Sequence, residues 1–275
     1  MFGRRLKPKA QPANLRIAKT PDDTLVWAVG DVHGCADLLE ALVTAVLEDI
    51  ERRDATTSHL VFLGDYIDRG PDSSGVLHYL AGLIGVPNLN IHFLRGNHEE
   101  RMEAFLTQPD LGPGWCEYGG RAALGSFGVA PPNSTDGSEA WEDACRQLNL
   151  ALREGHRAVL AAQKYSVSIG DYFFAHAGAE PGVPLAAQDP TQLMWIRRRF
   201  LDDKYAFEKM VVHGHTPSDQ VHADHRRIGI DTGAYATGVL TALRLDGADR
   251  QILQTSRRAS SIELIRTSLL LTLPS

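Results

Sequence analysis

The chain has 275 residues, of which 43% are hydrophobic and 23% charged, a composition typical of a soluble globular protein with one large domain or two small ones. Its net charge of −6 argues against a general nucleic-acid-binding protein, because such proteins carry a basic face that neutralises phosphates. The three cysteines form no CxxC pair, which excludes a disulfide framework or zinc knuckle and favours a cytoplasmic location. Apolar runs all fall short of the ~20 residues that span a bilayer, so we expect no membrane partner.

The first 20 residues carry six Lys or Arg and no acidic residue. They lack the apolar core of a secretory signal, which needs roughly 7 to 15 residues. We predict a basic, disordered extension over residues 1–22, followed by one folded domain over residues 23–255.

Three strand-loop-helix units follow one another from residue 25. The short apolar run "LVWAVGD" precedes a segment with apolar residues at helical spacing, and the pattern repeats with "HLVFLGD" and with "NIHFLRGN". Three such units in succession predict a largely parallel sheet covered by helices.

Residues 108–160 interrupt this rhythm. They are rich in Pro, Gly and Ser and contain a single helical segment, "EAWEDACRQLNLALREG", which predicts an inserted helical cap without a core of its own. Strand patterns then dominate from "YSVSIG" to "GVLTALRL". The tail, residues 256–275, receives no predicted role.

Polar residues follow each of the first three strands. Asp31 lies in "GDVHG", Asp65 in "GDYIDRG" and Asn97 in "RGNHE", with spacings close to the length of a βαβ unit. The carboxyl ends of parallel strands meet at one edge of a sheet, so these loops should converge on a common crevice.

Two later loops bring imidazoles to the same edge. His176 follows a strand in "FFAHAG", and His215 follows another in "VVHGHTP". Bare carboxylates packed this closely would repel one another, and a metal resolves the conflict. The mixture of Asp, Asn and His favours Mn, Fe or Zn over Mg or Ca.

Taken together, "GDVHG", "GDYIDRG", "RGNHE", "HAG" and "HGHTP" closely resemble the motifs of the phosphoprotein phosphatase (PPP) family of metal-dependent serine/threonine phosphatases, in the bacterial and phage branch of the calcineurin-like metallophosphoesterases. The resemblance extends over residues 25–245. It implies an α/β fold, with a central β-sandwich of mixed sheets flanked by helices and an inserted helical cap. It also implies two divalent transition metal ions, with Mn favoured and Fe, Zn, Ni or Co as alternatives.

The resemblance assigns a role to each polar loop residue. The ligands of the first metal would be Asp31 and His33, the bridging ligand Asp65, and the ligands of the second metal Asn97, His176 and His215. Two divalent ions, two aspartates and a bridging hydroxide leave one positive charge, which attracts a phosphate dianion. The hydroxide would attack phosphorus directly.

The resemblance also implies groups that bind phosphate and protonate the leaving group. Arg69, Arg95 and Arg197 would contact the phosphate oxygens, although Arg198 and Arg199 leave the register of the third open. His98 would act as the general acid, oriented by Asp68. A covalent route has no support, because no Cys-x5-Arg loop or DxD motif occurs.

The expected substrate is a phosphorylated protein, a peptide or a small phosphoester, with no obligate partner, and the expected activity is that of a serine/threonine protein phosphatase. The nearest alternative is a symmetrical dinucleoside tetraphosphatase. Such enzymes typically read GDLVARG and GNHD, so Asp68 and Glu99 favour the phosphatase. Pro217 stands where the related nucleases have a second histidine, which argues against a nuclease. An inactive scaffold would be expected to have lost a metal ligand or the acid, and this chain has lost neither.

The sequence does not decide the roles of two residues near the site, His213 and Tyr118. His213 ends a strand, and packing or a structural hydrogen bond is favoured over metal ligation. Tyr118, in the cap, stands where related bacterial chains often have asparagine, so the fold alone does not specify a protein substrate.

Overall fold

The computed structural model describes residues 17–259 and 261–272. Two mixed sheets form its centre. The strands of the first sheet are β1 (Thr24–Val29), β2 (Thr57–Phe62), β3 (Leu89–Phe93), β9 (Thr241–Asp246), β10 (Asp249–Arg257) and β11 (Ile262–Ser268). The strands of the second sheet are β4 (Ser166–Ile169), β5 (Tyr172–Ala175), β6 (Met210–His213), β7 (His222–Ala223) and β8 (Arg227–Gly229).

The strand order is β11-β10-β9-β1-β2-β3 in the first sheet and β4-β5-β6-β8-β7 in the second. In the first sheet, β1, β2 and β3 pair in parallel, as the three repeated units predict, whereas β9 pairs antiparallel to β1. In the second sheet, β5, β6 and β8 pair in parallel. The predicted α/β arrangement of mixed sheets is therefore confirmed.

Ten helices surround the sheets within the described residues. They are α1 (Ala36–Arg53), α2 (Ser73–Leu83), α3 (Asn97–Phe105), α4 (Gly112–Trp115), α5 (Arg121–Ser126), α6 (Ser138–Ala151), α7 (Glu154–Ala161), α8 (Pro190–Trp195), α9 (Arg198–Leu201) and α10 (Ala234–Thr237). Among the parts of the chain that the structure describes, no helix combines the length and apolarity needed to cross a membrane.

The side-chain alternation of β1 explains the layers. Val26 and Ala28 face the second sheet and pack in an apolar layer with Phe174 and Val212. Trp27 lies on the opposite face, in a larger cluster under α1 and α2. A third cluster covers the outer face of the second sheet, beneath α8 and α9.

The inserted segment has more helix than the sequence pattern indicated. It begins with a short 3₁₀ turn at Pro109–Leu111, and a five-residue turn at Cys116–Gly120 joins α4 to α5. The helix predicted near its end divides into α6 and α7, because Leu152 adopts an extended conformation. Trp115 and Trp141 pack into the cluster under α1 and α2, so the inserted segment shares the main core.

The folded part of the chain extends beyond both predicted domain boundaries, residues 23 and 255. Most of the predicted basic extension lies outside the described residues, but Thr20 within it is buried, and its N–H donates to the carbonyl of Gly247 at 3.1 Å. The predicted end at residue 255 falls inside β10, and β11 adds an edge strand. Leu264 and Ile265 of β11 are both exposed, so the strand has no apolar-polar alternation to reveal it.

Asp49 ties α1 to the first sheet. Its carboxylate accepts a hydrogen bond from Arg244 Nε at 2.8 Å and lies 3.3 Å from Arg266 Nη1. Arg244 is buried, and it shares its charge between Asp49 at Nε and Asp246, whose Oδ2 accepts from Nη2 at 3.1 Å.

We expect Asp49→Ala to lower the free energy of unfolding by about 1.5–3 kcal/mol, because it removes the charged acceptor of the buried Arg244 Nε, while Asp246 still compensates part of the guanidinium charge. Urea unfolding followed by circular dichroism measures this. The exposed ion pair of Asp143 with Arg146 on α6 provides the control, and Asp143→Ala should cost under about 1 kcal/mol. Equal losses for the two variants would contradict the assignment.

Candidate metal centre

Five loops bring polar side chains together at the carboxyl ends of the strands. Each of these side chains belongs to a residue at most 6% exposed: Asp31, His33, Asp65, Asn97, His176 and His215. Burial of so many polar groups in one place is costly unless they have partners or hold an ion. All six metal ligands predicted from the sequence therefore meet in one buried cluster.

The loops have an unusual backbone at the cluster. The left-handed region, which non-glycine residues rarely enter, holds His33 (φ 44°), Asp65 (φ 52°), Asp68 (φ 72°), Arg69 (φ 65°) and His215 (φ 65°). Such conformations concentrate at functional sites, where the surrounding fold enforces them. Gly214 is required for a different reason, since a Cβ there would lie 1.9 Å from Asp31 Oδ1.

Asp65 is the centre of the cluster. Its Oδ2 lies 3.5 Å from His33 Nε2, and its Oδ1 lies 3.4 Å from His176 Nε2. Two groups with metal-ligand spacing share this one carboxylate: His33, Asp65 and His98 on one side, and Asp65, His176 and His215 on the other. A shared carboxylate between two ligand sets is the arrangement that a bridging ligand requires.

Backbone carbonyls fix the imidazoles of His33 and His176. Nδ1 of His33 lies 2.8 Å from the carbonyl oxygen of Ile67, and Nδ1 of His176 lies 2.9 Å from that of Leu63. A carbonyl only accepts, so each Nδ1 must carry the proton. In the neutral imidazole that binds a metal, each Nε2 would then present its lone pair toward the centre, which is how proteins orient histidine ligands.

The remaining predicted ligands are Asn97 and His215, assigned to the second metal, and Asp31, assigned to the first. Asn97 Oδ1 and His215 Nδ1 each lie 3.1 Å from His176 Nε2. Asp31 Oδ2 accepts the backbone N–H of His215 at 2.9 Å, which links the first loop to the last. Asp31 Oδ1 is buried and has no hydrogen-bond partner among the described residues, so it has free ligand capacity.

The shifted pKa values of the buried side chains indicate a cluster with an anionic field. His176 and His98 hold the pKa of Asp65 well below its usual range, although burial opposes this. Burial, with Asp231 second, raises the pKa of Asp31. Burial opposes protonation of His176, but Asp65 outweighs it and raises the pKa to about 9. The anionic field that favours a proton here also favours divalent ions, and the mixed O and N donor set fits transition metals.

His98 and Asp68 form a separate hydrogen-bonded pair beside Asp65. Nδ1 of His98 lies 2.6 Å from Asp68 Oδ2, and the indole N–H of Trp115 donates to the same oxygen at 2.8 Å. Burial lowers the pKa of His98, but Asp65 and Asp68 outweigh it and raise the pKa above its ordinary value. His98 Nε2, 3.9 Å from Asp65 Oδ2, is therefore the end that faces the cluster.

The three predicted arginines differ in position. Arg69 Nη1 lies 3.0 Å from His33 Nε2, and the charge of Arg197 contributes to the lowered pKa of His215, which burial dominates. Arg199, two residues further on, forms an ion pair with Glu180. Arg95 instead forms an ion pair with Glu103 on α3.

His213 has the structural role that its position in β6 favours. Its Nε2 lies 3.1 Å from Arg227 Nη1, its Nδ1 lies 3.0 Å from the carbonyl of Gly214, and its ring packs edge-on against Phe200. Burial lowers its pKa to about 3, so it is a neutral core residue.

Glu99 has a role that the sequence did not reveal. Its Oε2 accepts the backbone N–H groups of Asp65 at 2.9 Å and Gly96 at 3.0 Å, and its Oε1 accepts that of Tyr66 at 2.8 Å. One buried carboxylate therefore joins the loop of the shared ligand to the loop of Asn97. Burial, followed by the charge of Asp65, raises its pKa to about 7.

Asp231, in the loop after β8, and Tyr235, in α10, also lie at the site although the sequence patterns gave them no role. Asp231 is buried, and its charge acts on Asp31. Tyr235 is 39% exposed, with its ring 5.3 Å from that of His33 and 4.9 Å below the guanidinium of Arg69. Asp231 follows a strand, as Asp31 and Asp65 do, and that placement is the signal that could have identified it.

Comparisons with known proteins agree with this geometry. The family model of calcineurin-like phosphoesterases matches residues 24–247. The asymmetrical bis(5'-nucleosyl)-tetraphosphatase PrpE of Geobacillus thermodenitrificans is 25% identical over 241 residues, covering 78% of this chain and 88% of its own. The symmetrical bis(5'-nucleosyl)-tetraphosphatase of Nitrosospira multiformis is 24% identical and covers 84% of this chain and 95% of its own.

Other relatives have different names. Serine/threonine-protein phosphatase 1 of Salmonella typhimurium is 29% identical over 226 residues, covering 80% of this chain and 91% of its own. The solved structure of a cold-active protein-tyrosine phosphatase from a Shewanella species shares the fold with a TM-score of 0.52 at 17% identity, covering 90% of this chain and 83% of that one.

We expect Glu99→Ala to weaken binding of Mn about 10- to 100-fold, because it removes the acceptor that fixes the loops of Asp65 and Asn97. Titration calorimetry of the metal-free protein with Mn measures the affinity. Glu142→Ala on the exposed surface of α6 is the matched control and should bind Mn normally. Unchanged Mn affinity in a folded Glu99→Ala variant would show that the loops do not depend on this carboxylate.

Proposed function

The chain belongs to the calcineurin-like phosphoesterase family, and from that premise we propose that it is a dinuclear-metal phosphomonoester hydrolase that acts on phosphorylated serine or threonine. The observation that carries the proposal is the position of the Asp65 carboxylate between His33 on one side and His176 and His215 on the other, with His98, hydrogen-bonded to Asp68, next to the same carboxylate. Residues that could hold two metals, next to a protonatable group, would supply what hydrolysis of a phosphoester requires.

The chain offers donors for two ions. Asp31 and His33 would hold the first metal, Asp65 would contribute to both sites, and Asn97, His176 and His215 would hold the second. When bound, two such ions activate a water and neutralise the developing charge on the phosphoryl group. We propose Mn as the metal, because the donors mix oxygen with imidazole nitrogen.

Arg69 and Arg197 supply positive charge on opposite sides of the cluster, one beside His33 and one near His215. Guanidinium groups donate from a rigid plane that matches the oxygens of a phosphate. These two arginines would hold the phosphoryl group over Asp65. They also make the rim attractive to anions although the whole chain is acidic.

His98 would protonate the leaving oxygen. The loss of an alkoxide from a serine phosphate requires a proton donor, and the Asp68 carboxylate keeps the His98 imidazole charged and oriented. Its contribution to the rate should be about 10²–10⁴.

Two candidate substrate classes compete for this centre. Asp68 and Glu99 depart from the GDLVARG and GNHD patterns typical of the symmetrical tetraphosphatases, which supports a phosphomonoester. Two of the relatives described above are bis(5'-nucleosyl)-tetraphosphatases, one symmetrical and one asymmetrical, and they support a dinucleoside polyphosphate as the second candidate.

Comparative turnover tests the proposal. The Mn-loaded protein is assayed with p-nitrophenyl phosphate, a phosphoserine peptide and diadenosine tetraphosphate. We expect the two monoesters to be hydrolysed with the higher kcat/KM. A preference for the dinucleotide would favour the second candidate, and no hydrolysis of any of the three would refute the assignment as an enzyme.

For the general acid, we expect His98→Asn to lower kcat for the phosphoserine peptide by about 10²–10⁴ and far less for p-nitrophenyl phosphate, whose leaving group needs no proton. Steady-state kinetics with both substrates separates the two effects. Equal losses for both substrates would remove His98 from the role of acid.

For the partner of the acid, Asp68→Asn should shift the basic limb of the kcat profile to lower pH by about one unit. The carboxylate of Asp68 favours the charged imidazole of His98, so a neutral amide lowers the His98 pKa and the acid form is lost earlier as pH rises. The profile is measured with the phosphoserine peptide. An unmoved or upward-shifted limb would show that another group limits the rate at high pH.

A further inference from the structure

Arg95 precedes α3, the helix whose first residues are Asn97 and His98. Its backbone N–H donates to the carbonyl of Lys164 at 2.9 Å, which anchors the main chain at the base of the cluster. This hydrogen bond involves only the backbone and does not fix the direction of the Arg95 side chain. The guanidinium forms an ion pair with Glu103, in the last two turns of the helix.

The direction of that pair is informative. Asn97 marks the end of α3 that faces the metal cluster, and Glu103 lies six residues further on, about 9 Å along the axis. The Arg95 side chain therefore runs along the helix, away from the end that carries the ligand. Its Nε is buried without a hydrogen-bond partner among the described residues, so the pair with Glu103 leaves a donor unused.

We propose that Glu103 is a positioning residue that competes with substrate phosphate for Arg95, so that the arginine joins the site only after it leaves the helix. This inference rests on the proposed phosphoester hydrolysis. Both partners are partly exposed, at 22% for Arg95 and 29% for Glu103, and a pair of this kind is weak enough for a phosphate dianion to break. Breaking it costs the enzyme about twofold to fivefold in affinity for phosphate.

The two other arginines behave differently, which makes the competition specific to Arg95. Arg69 lies against His33 and Tyr235, and Arg197 lies near His215, so both are already at the cluster. A phosphate bound by these two would draw the third guanidinium away from Glu103. The Glu103 carboxylate thus lowers the affinity of the enzyme for the substrate phosphate without contacting the substrate.

The test compares the unsubstituted protein, Glu103→Gln and Arg95→Ala, singly and combined, with Mn and p-nitrophenyl phosphate. We expect Glu103→Gln to lower both KM and the inhibition constant of inorganic phosphate about twofold to fivefold, with kcat unchanged, because the guanidinium is released. The gain should disappear in the Arg95→Ala background. It should also shrink as ionic strength rises, because salt weakens a partly exposed ion pair.

Asp143→Asn, which removes an exposed ion pair of α6, is the matched control and should leave KM unchanged. A higher KM in Glu103→Gln would overturn the proposal by showing that Glu103 holds Arg95 in its working position. An unchanged KM, or a gain that persists without Arg95, would overturn it as well. Absence of hydrolysis by the unsubstituted protein would refute the proposed function instead.

Discussion

The buried carboxylate of Asp65 is the constraint on which the rest of the site depends. It lies within 4 Å of three imidazoles, those of His33, His98 and His176, and their charges hold its pKa well below the ordinary range. A charge buried this deeply is stable only if its surroundings compensate it, and every neighbouring loop contributes to that compensation. The second carboxylate, Glu99, accepts backbone N–H groups on both sides of Asp65 and from Gly96. One acid thus lies between the histidines, and another fixes the loops around it.

This arrangement explains why the loops depart from regular backbone conformation. The two sheets supply the strand ends, and left-handed residues such as His33, Asp65 and His215 turn the chain sharply in three of the five loops. Close contacts maintain the turns: no side chain fits at Gly214, where Asp31 lies against the backbone. The cost of strained backbone and buried polar groups is borne by the large apolar layers on both faces of the sheets. Stability and function are therefore separated in space, with packing below the strand ends and chemistry above them.

The sequence predicted the strand ends well because the signal is periodic. Three apolar runs, each followed by Gly-Asp or Gly-Asn at the spacing of a βαβ unit, were sufficient to bring Asp31, Asp65 and Asn97 together. Interactions between distant segments were harder to predict. The hydrogen bonds of Glu99 go to backbone groups rather than to a matching motif, and the ion pair between Arg95 and Glu103 depends on a side-chain direction that spacing does not fix. The edge strand β11 lacks alternation because both of its faces are exposed, so its pattern resembled that of a tail. Burial of Asp231 beside Asp31 likewise became visible only once the loop after β8 was placed.

The central claim is that Asp65 joins two metal ions in one centre. Crystals grown with Mn and phosphate, with anomalous diffraction collected at the Mn edge, test it most directly. We expect two anomalous peaks about 3.5–4 Å apart, one on each side of the Asp65 carboxylate, with phosphate in contact with both. A single peak, or two peaks of which only one contacts Asp65, would contradict it.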